Sequence, residues 1–254
     1  MKDYIVSVKR PIWKKGFTLA EVLITLGIIG VVAALTLPTL IANYQKNLAL
    51  TQLKKNYAIL TQAVSLMRAH YDNIDPVQMP FTRQQWDHPT YLDTTLFGPE
   101  LAKYLPVVWH RMDSDGKFCF PDTASWNIKQ AKSSTPTAAG AAWHHTNNDY
   151  VWKLNNGACI GFAYGRNWDW DGTNTNARTF VIDVNGEGKG PNTLGKDIYL
   201  FEFMPDGRIV PAGFNLTDDE ARNHWCRCNN TGEYCALLIY KNGWNFPKDY
   251  PLNW

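Results

Sequence analysis

Between Phe17 and Leu37 apolar residues follow one another almost without a break, and beyond Pro38 the pattern narrows to a single apolar face. The first run, FTLAEVLITLGIIGVVAALTL, contains no lysine or arginine, and about twenty such residues are enough to cross a bilayer. In the second stretch Leu50, Leu53, Tyr57, Leu60, Val64, Met67 and Tyr71 recur at steps of three and four, flanked by the polar Gln52, Lys54, Lys55, Asn56, Gln62 and Arg68. That is the stripe of an amphipathic helix packed on a core. Together the two patterns predict one helix over residues 17–71, roughly 80 Å long at 1.5 Å per residue, with a membrane-spanning part at about 17–37. Pro38, with Gly27 and Gly30, marks where it is expected to bend or melt locally.

From residue 72 onward the pattern shortens. Pro76, Pro80, Pro89, Pro99 and Pro106 interrupt any long helix and leave short segments such as 98–105, and residues 133–140 (SSTPTAAG) read as loop. Strands are predicted at 150–154, 158–164, 179–184 and 199–204, with Asn156-Gly157 and Asp206-Gly207 as hairpin turns. The expected fold is α+β: the long N-terminal helix packed on an antiparallel sheet. The expected organisation is a short leader, 1–16, the helix, 17–71, and a globular domain, 72–254.

Apolar content of 45% and charged content of 19% describe a folded protein rather than a disordered one. Charge changes the picture more. Residues 1–16 carry Lys2, Lys9, Arg10, Lys14 and Lys15 against Asp3, the next cation after the apolar run is Lys46, and the chain as a whole is only +2. Cations before the span and none close behind it place the N-terminus in the cytoplasm and the rest outside, as a single-pass protein of the cytoplasmic membrane. With no basic surface left after the leader, nucleic acid is not an expected partner. A cleaved secretory signal would be shorter and would be followed by a small-x-small site, which is missing here. A plain anchor leaves Glu21 unexplained, because a carboxylate in hydrocarbon costs on the order of 2–3 kcal/mol.

The run Lys14-Lys15-Gly16-Phe17-Thr18-Leu19-Ala20-Glu21 ahead of that helix resembles the N-terminal signature of type IV pilins and type II secretion pseudopilins. The resemblance covers roughly residues 10–70. It implies cleavage between Gly16 and Phe17 by a prepilin peptidase and N-methylation of Phe17. The helix is then retained and assembles with other pilin or pseudopilin subunits at an inner-membrane platform. Glu21 falls where that family keeps a glutamate, and Pro38 where it often has a proline. An intramembrane carboxylate usually has a partner, and in a filament of parallel subunits Glu21 could meet the freed amine of a neighbour's Phe17.

The most distinctive stretch outside the helix is DVNGEGKGPNTLGKD, residues 183–197. Asp183, Asn185, Glu187, Asn192 and Asp197 supply oxygens in a glycine-rich loop, which suits calcium, and by resemblance major pseudopilins hold calcium in such a loop. The spacing is not that of an EF-hand, and a hairpin loop fixed by glycines and Asx turns is the plain alternative. A second acidic stretch, Asp169 to Asn174 beside Trp168 and Trp170, could bind a cation or a sugar, or simply be part of a packed sheet.

Five cysteines stand at 119, 159, 226, 228 and 235, on the side where disulfides form. Cys228 and Cys235 resemble the pair that closes the C-terminal region of many pilins. Cys119 and Cys159 could pair, leaving Cys226 over. The rival is a metal site from His224, Cys226, Cys228 and Cys235, against which the Cys-x-Cys spacing speaks. No Gly-x-Ser-x-Gly, P-loop or His-Glu-x-x-His motif occurs and His144-His145 reads as surface, so the chain is not expected to be an enzyme. Two function classes remain. One is a structural subunit of a secretion pseudopilus or type IV pilus. The other is a membrane-anchored module recognising a glycan or protein, the two merging in a minor tip pilin.

Overall fold

The structure, a computed structural model, describes residues 16–74, 78–80, 82–85, 88–112, 119, 150–164, 178–186, 188–204, 206–223 and 228–253. The chain divides into two units, Met1–Tyr44 and Gln45–Trp254, and the first helix, α1 (Leu19–His70), contributes to both.

In the first unit α1 is apolar but for Glu21, Asn43 and a few threonines. Phe17, Leu19, Leu23, Ile24, Leu26, Ile28, Ile29, Val31, Leu35 and Leu40 are all exposed. A helix apolar all round, with none of its side chains covered, is built for lipid or for neighbouring helices. By length and composition it can cross a membrane. The local melting expected near Pro38 is not found, since α1 runs through that residue as helix. Proline removes one intrahelical bond, and the alanines and leucines around it are good helix formers that carry the helix across.

In the second unit α1 buries Ala49, Leu53, Asn56, Leu60, Ala63, Val64 and Met67. The stripe is the expected one, turned slightly, so that Leu50, Tyr57 and Tyr71 are its half-buried margin. Asn56 is a correction. Expected among the polar flank, it is 1% exposed, and its Oδ1 accepts a hydrogen bond from Asn156 Nδ2 at 2.8 Å. The polar group is tolerated because it is paired.

Two sheets follow. β1 (Thr82–Gln85) and β2 (His88–Leu92) form an antiparallel hairpin. The main sheet is a six-stranded antiparallel meander in chain order: β3 (Val107–Met112), β4 (Tyr150–Leu154), β5 (Cys159–Tyr164), β6 (Arg178–Asp183), β7 (Ile198–Phe203) and β8 (Ile209–Pro211). The register sets Tyr150 beside Phe162, Phe162 beside Phe180 and Phe180 beside Phe201, an aromatic row across one face. Helix α2 (Thr94–Ala102), capped by Asp93, lays Phe97 on this row, 4.9 Å from the Phe162 ring. Tyr57 of α1 packs 5.1 Å from Phe201 and donates its hydroxyl to the Ile209 carbonyl at 2.8 Å. Val151, Val181 and Leu200, which alternate to the other face, are buried as well. Covering on both faces explains why these strands read as continuous apolar runs rather than strict alternation. Two short helices follow among the described residues, α3 (Asp218–Asn223) and α4 (Cys235–Lys241), with α4 lying against β7 and β8.

Candidate functional site

Two places carry the residues singled out in the sequence, one in each unit.

At the head of α1, Gly16 and Phe17 precede the first helical turn, and Phe17 is almost fully exposed. A side chain added at Gly16 would meet nothing within 4 Å, so the fold itself does not require glycine there. Glu21 is not idle in the single chain. Its Oε2 accepts hydrogen bonds from the backbone N–H and the hydroxyl of Thr18, both at 2.8 Å. The Thr18 hydroxyl oxygen in turn accepts the Glu21 N–H at 3.2 Å. This is a capping box: Thr18 and Glu21 satisfy each other's otherwise unpaired donors at the start of the helix. The Thr-x-x-Glu spacing that signals it is visible in the sequence, although the glutamate alone draws attention there.

The second place is the connection from β6 to β7. β6 ends at Asp183, whose Oδ1 accepts the N–H groups of Asn185 and Gly186 at 3.1 and 2.9 Å. Asp197 closes the far end of the loop. Its Oδ2 accepts the Asn192 N–H at 2.7 Å and Asn185 Nδ2 at 3.1 Å, and its Oδ1 accepts the Thr193 N–H at 2.6 Å. The Val184 N–H donates to the Asp197 carbonyl, holding the two ends together. Both carboxylates are buried, Asp183 at 1% and Asp197 at 2% exposed. Burial, with the nearby negative charge of Asp197, pushes the Asp183 carboxyl up to about 7, and burial raises Asp197 too. Two neighbouring acids buried away from water resist ionising together.

Three oxygens in this network have no hydrogen-bond partner although they are buried: Asp183 Oδ2, Asn185 Oδ1 and Asn192 Oδ1. The first belongs to one of the two acids, and the other two to residues that hydrogen-bond to Asp197. Unpaired buried acceptors next to two repelling carboxylates are a deficit that a cation would remove. Two carboxylates and two amide carbonyls are the hard oxygen set that calcium takes, so the residues fit the ion that the sequence suggested. Among the described residues no group of three or more histidine, cysteine, aspartate and glutamate side chains is placed to hold a metal. Of the five residues named for the loop, Glu187 lies outside the described residues, as do the stretch 169–174 with Trp168, and His144-His145.

Cys119 is disulfide-bonded to Cys159 and Cys228 to Cys235. The second bond consumes two of the thiols in the rival metal site, and its other members, His224 and Cys226, lie outside the described residues. Cys159 stands directly opposite Asp183 in the β5–β6 ladder, and Cys235 lies against the loop at Gly195. The sequence gives no sign that both disulfides adjoin the same loop.

Comparison with known proteins agrees with the first place. Residues 14–37 match the family model described as the prokaryotic N-terminal methylation motif. That match supports a pilin- or pseudopilin-type protein, anchored by its N-terminal helix, processed by prepilin peptidase and assembled with other such subunits. Residues 211–254 match a family of unknown function (DUF6613). No curated protein and no solved structure matches the chain.

Proposed function

We propose that this chain is a structural subunit of an extracytoplasmic filament, processed after Gly16 and assembled through α1, with the type II secretion pseudopilus favoured over a type IV pilus. The observation that carries the reading is the half-helix beginning at Leu19, apolar on every side and uncovered, with a single carboxylate in its first turn. Hydrolysis of the Gly16–Phe17 amide would remove the basic leader and leave a free amine on Phe17, which a methyl group then modifies. In the membrane the single subunit meets the cost of its carboxylate partly through the Thr18 cap. In a filament, the cationic amine of one subunit and Glu21 of the next would neutralise each other in an apolar bundle and set the axial step between subunits. The N-terminus faces the cytoplasm and the unit from Gln45 onward lies outside.

The loop between Asp183 and Asp197 favours the pseudopilus. Asp183, Asn185, Asn192 and Asp197 would hold calcium there, and the ion would supply the positive charge that the two buried carboxylates lack. Bound calcium would fix the β6–β7 connection and with it the outer part of the subunit. No catalytic role is assigned.

Mass spectrometry of the chain from cells with active prepilin peptidase tests the assignment, as mature protein should begin at methylated Phe17. Chain that keeps residues 1–16 in such cells would remove the basis for a filament role.

A further inference from the structure

The stretch that carries Asn192 and Asp197 is braced from behind by the C-terminal segment. Gly195 adopts φ of +81°, and a Cβ there would lie 2.3 Å from Cys235 Sγ and 2.7 Å from Leu252 Cδ1. The Gly195 carbonyl accepts the hydroxyl of Tyr250 at 2.5 Å, and that tyrosine is buried. Gly232, between the two cysteines, approaches so closely that a Cβ would stand 2.4 Å from the Leu194 carbonyl oxygen. Leu194, Cys228, Cys235 and Leu252 are all buried. Residues 194 and 195 are therefore pressed between the disulfide-closed turn and the last residues of the described chain. Besides the bonds that converge on the two carboxylates, the stretch around Gly195 is held by a turn at the Thr193 carbonyl, which accepts from Lys196, Asp197 and Ile198. One such turn holds its shape only weakly in water without packing.

We propose that the Cys228–Cys235 disulfide is a positioning element of the cation site, so that disulfide closure and calcium binding are coupled through Gly195. This rests on the reading of the Asp183–Asp197 loop as a calcium site and goes beyond it by assigning the C-terminal turn a part in that site. With the bond closed, Cys235 and Gly232 hold residues 194 and 195, and with them the oxygens of Asn192 and Asp197, in the arrangement the ion needs. With it open, the ion must order the turn as well as bind, and affinity falls. Coupling is reciprocal, so bound calcium favours the closed bond; by holding Gly195 against the buried Cys235 sulfur it also shields that sulfur from a reductant and slows reduction. A chain still in a reducing compartment thus has a weak site, and one that has crossed to an oxidising compartment has a tight one.

The test uses the full chain in detergent, with calcium chloride as titrant. Calcium affinity is measured by calorimetry for wild type, for the Cys228→Ser/Cys235→Ser double variant and for Tyr250→Phe. In parallel, a water-soluble phosphine reduces the wild-type bond, becoming the phosphine oxide as one water is consumed and each sulfur gains a proton. The freed thiols are counted by alkylation and mass spectrometry, with and without calcium. The double variant should bind about tenfold more weakly, within the range usual for coupled sites. Tyr250→Phe should show a smaller loss, and calcium should slow reduction of Cys228–Cys235. Should the double variant fail to fold by near-ultraviolet circular dichroism, Tyr250→Phe and the reduction rate decide. Wild-type affinity in the variants, together with a reduction rate indifferent to calcium, would overturn the coupling while leaving the calcium site standing. A wild-type chain that binds no calcium would overturn the site itself, and the coupling with it.

Discussion

Thr18 and Glu21 stand to each other as Thr217 and Glu220 do. In both pairs the glutamate Oε2 accepts from the threonine N–H and hydroxyl, and the threonine hydroxyl accepts from the glutamate N–H at 3.2 Å. The second pair caps α3 on the surface of the globular unit. The shared geometry shows that Thr-x-x-Glu at the head of α1 is a sufficient local device for starting a helix. A glutamate in this position therefore has a use within the subunit that is separable from the pairing between subunits proposed above.

The separation can be measured because glutamine also closes a capping box. Glu21→Gln keeps an acceptor for the Thr18 N–H but abolishes the charge. Thr18→Ala keeps the charge but removes the hydroxyl, at about 1 kcal/mol of helix stability. If charge pairing between subunits drives assembly, Glu21→Gln should insert normally yet give little filament on shearing, whereas Thr18→Ala should assemble at a level near wild type. Equal loss in the two variants would mean that the cap, and not the charge, is what assembly needs.

Gly16→Val should block removal of the leader. Space around Gly16 is open, so the substitution leaves the rest of the chain undisturbed and any loss of cutting belongs to the peptidase's own fit. The expected product is full-length chain with an unchanged melting temperature and no methylated Phe17, read by intact-mass spectrometry. Normal processing of the valine variant would argue against cleavage at this bond.

The loop makes a prediction whose sign follows from the acid pair. Asp183 titrates at about 7 in the folded chain, against 3.8 for an ordinary aspartate, chiefly because it is buried. The metal-free fold therefore favours the protonated acid and loses stability as pH rises from about 4 to 7, by at most about 1.4 kcal/mol per unit. Calcium requires both carboxylates ionised and stabilises by mass action. Without metal, melting temperature should fall between about pH 4 and pH 7; with calcium the fall should be offset, and the calcium-induced rise should be larger at the higher pH. Asp183→Asn should flatten the metal-free pH dependence and remove the calcium response, and Asp197→Ala should remove the response as well. A melting curve indifferent to both chelator and calcium at either pH would leave a plain hairpin loop.

Much of the scaffold is legible in the sequence because periodicity reports burial. Four strands lie within a residue of where their apolar runs place them, and α1 begins and ends close to the expected limits. What was missed has local causes. β3 contains His110 and Arg111 on an exposed edge, so its pattern does not stand out as a strand. α2 runs through Pro99, which reads as an interruption. α4 is a short apolar run whose helical nature depends on packing rather than on period. The oxygens of the loop could be named from composition, but which of them lack partners depends on backbone N–H groups converging on Asp183 and Asp197. No spacing rule predicts that convergence. The bracing of Gly195 by Cys235 joins residues forty positions apart and is invisible to any local pattern.

Gly98 shows how far context can reverse a propensity, and it gives the last prediction. Glycine inside a helix costs about 1 kcal/mol relative to alanine, so Gly98→Ala in α2 would stabilise an isolated helix. Here Gly98 is the point at which α2 rests on β4. Its carbonyl accepts the Trp152 indole N–H at 3.0 Å, and an added Cβ would lie 2.2 Å from the Tyr150 ring. Tyr150 is itself buried between Trp152, 5.0 Å away, and His110, so the ring has little room to retreat. Forcing a methyl group into that contact costs about 1–3 kcal/mol and disturbs the Trp152 bond. The collision should outweigh the gain in propensity, lowering the melting temperature and altering the tryptophan fluorescence. Gly98→Ala with Tyr150→Leu, which clears the ring, should recover part of the loss. An unaltered or raised melting temperature for Gly98→Ala alone would mean that α2 does not sit this closely on the sheet.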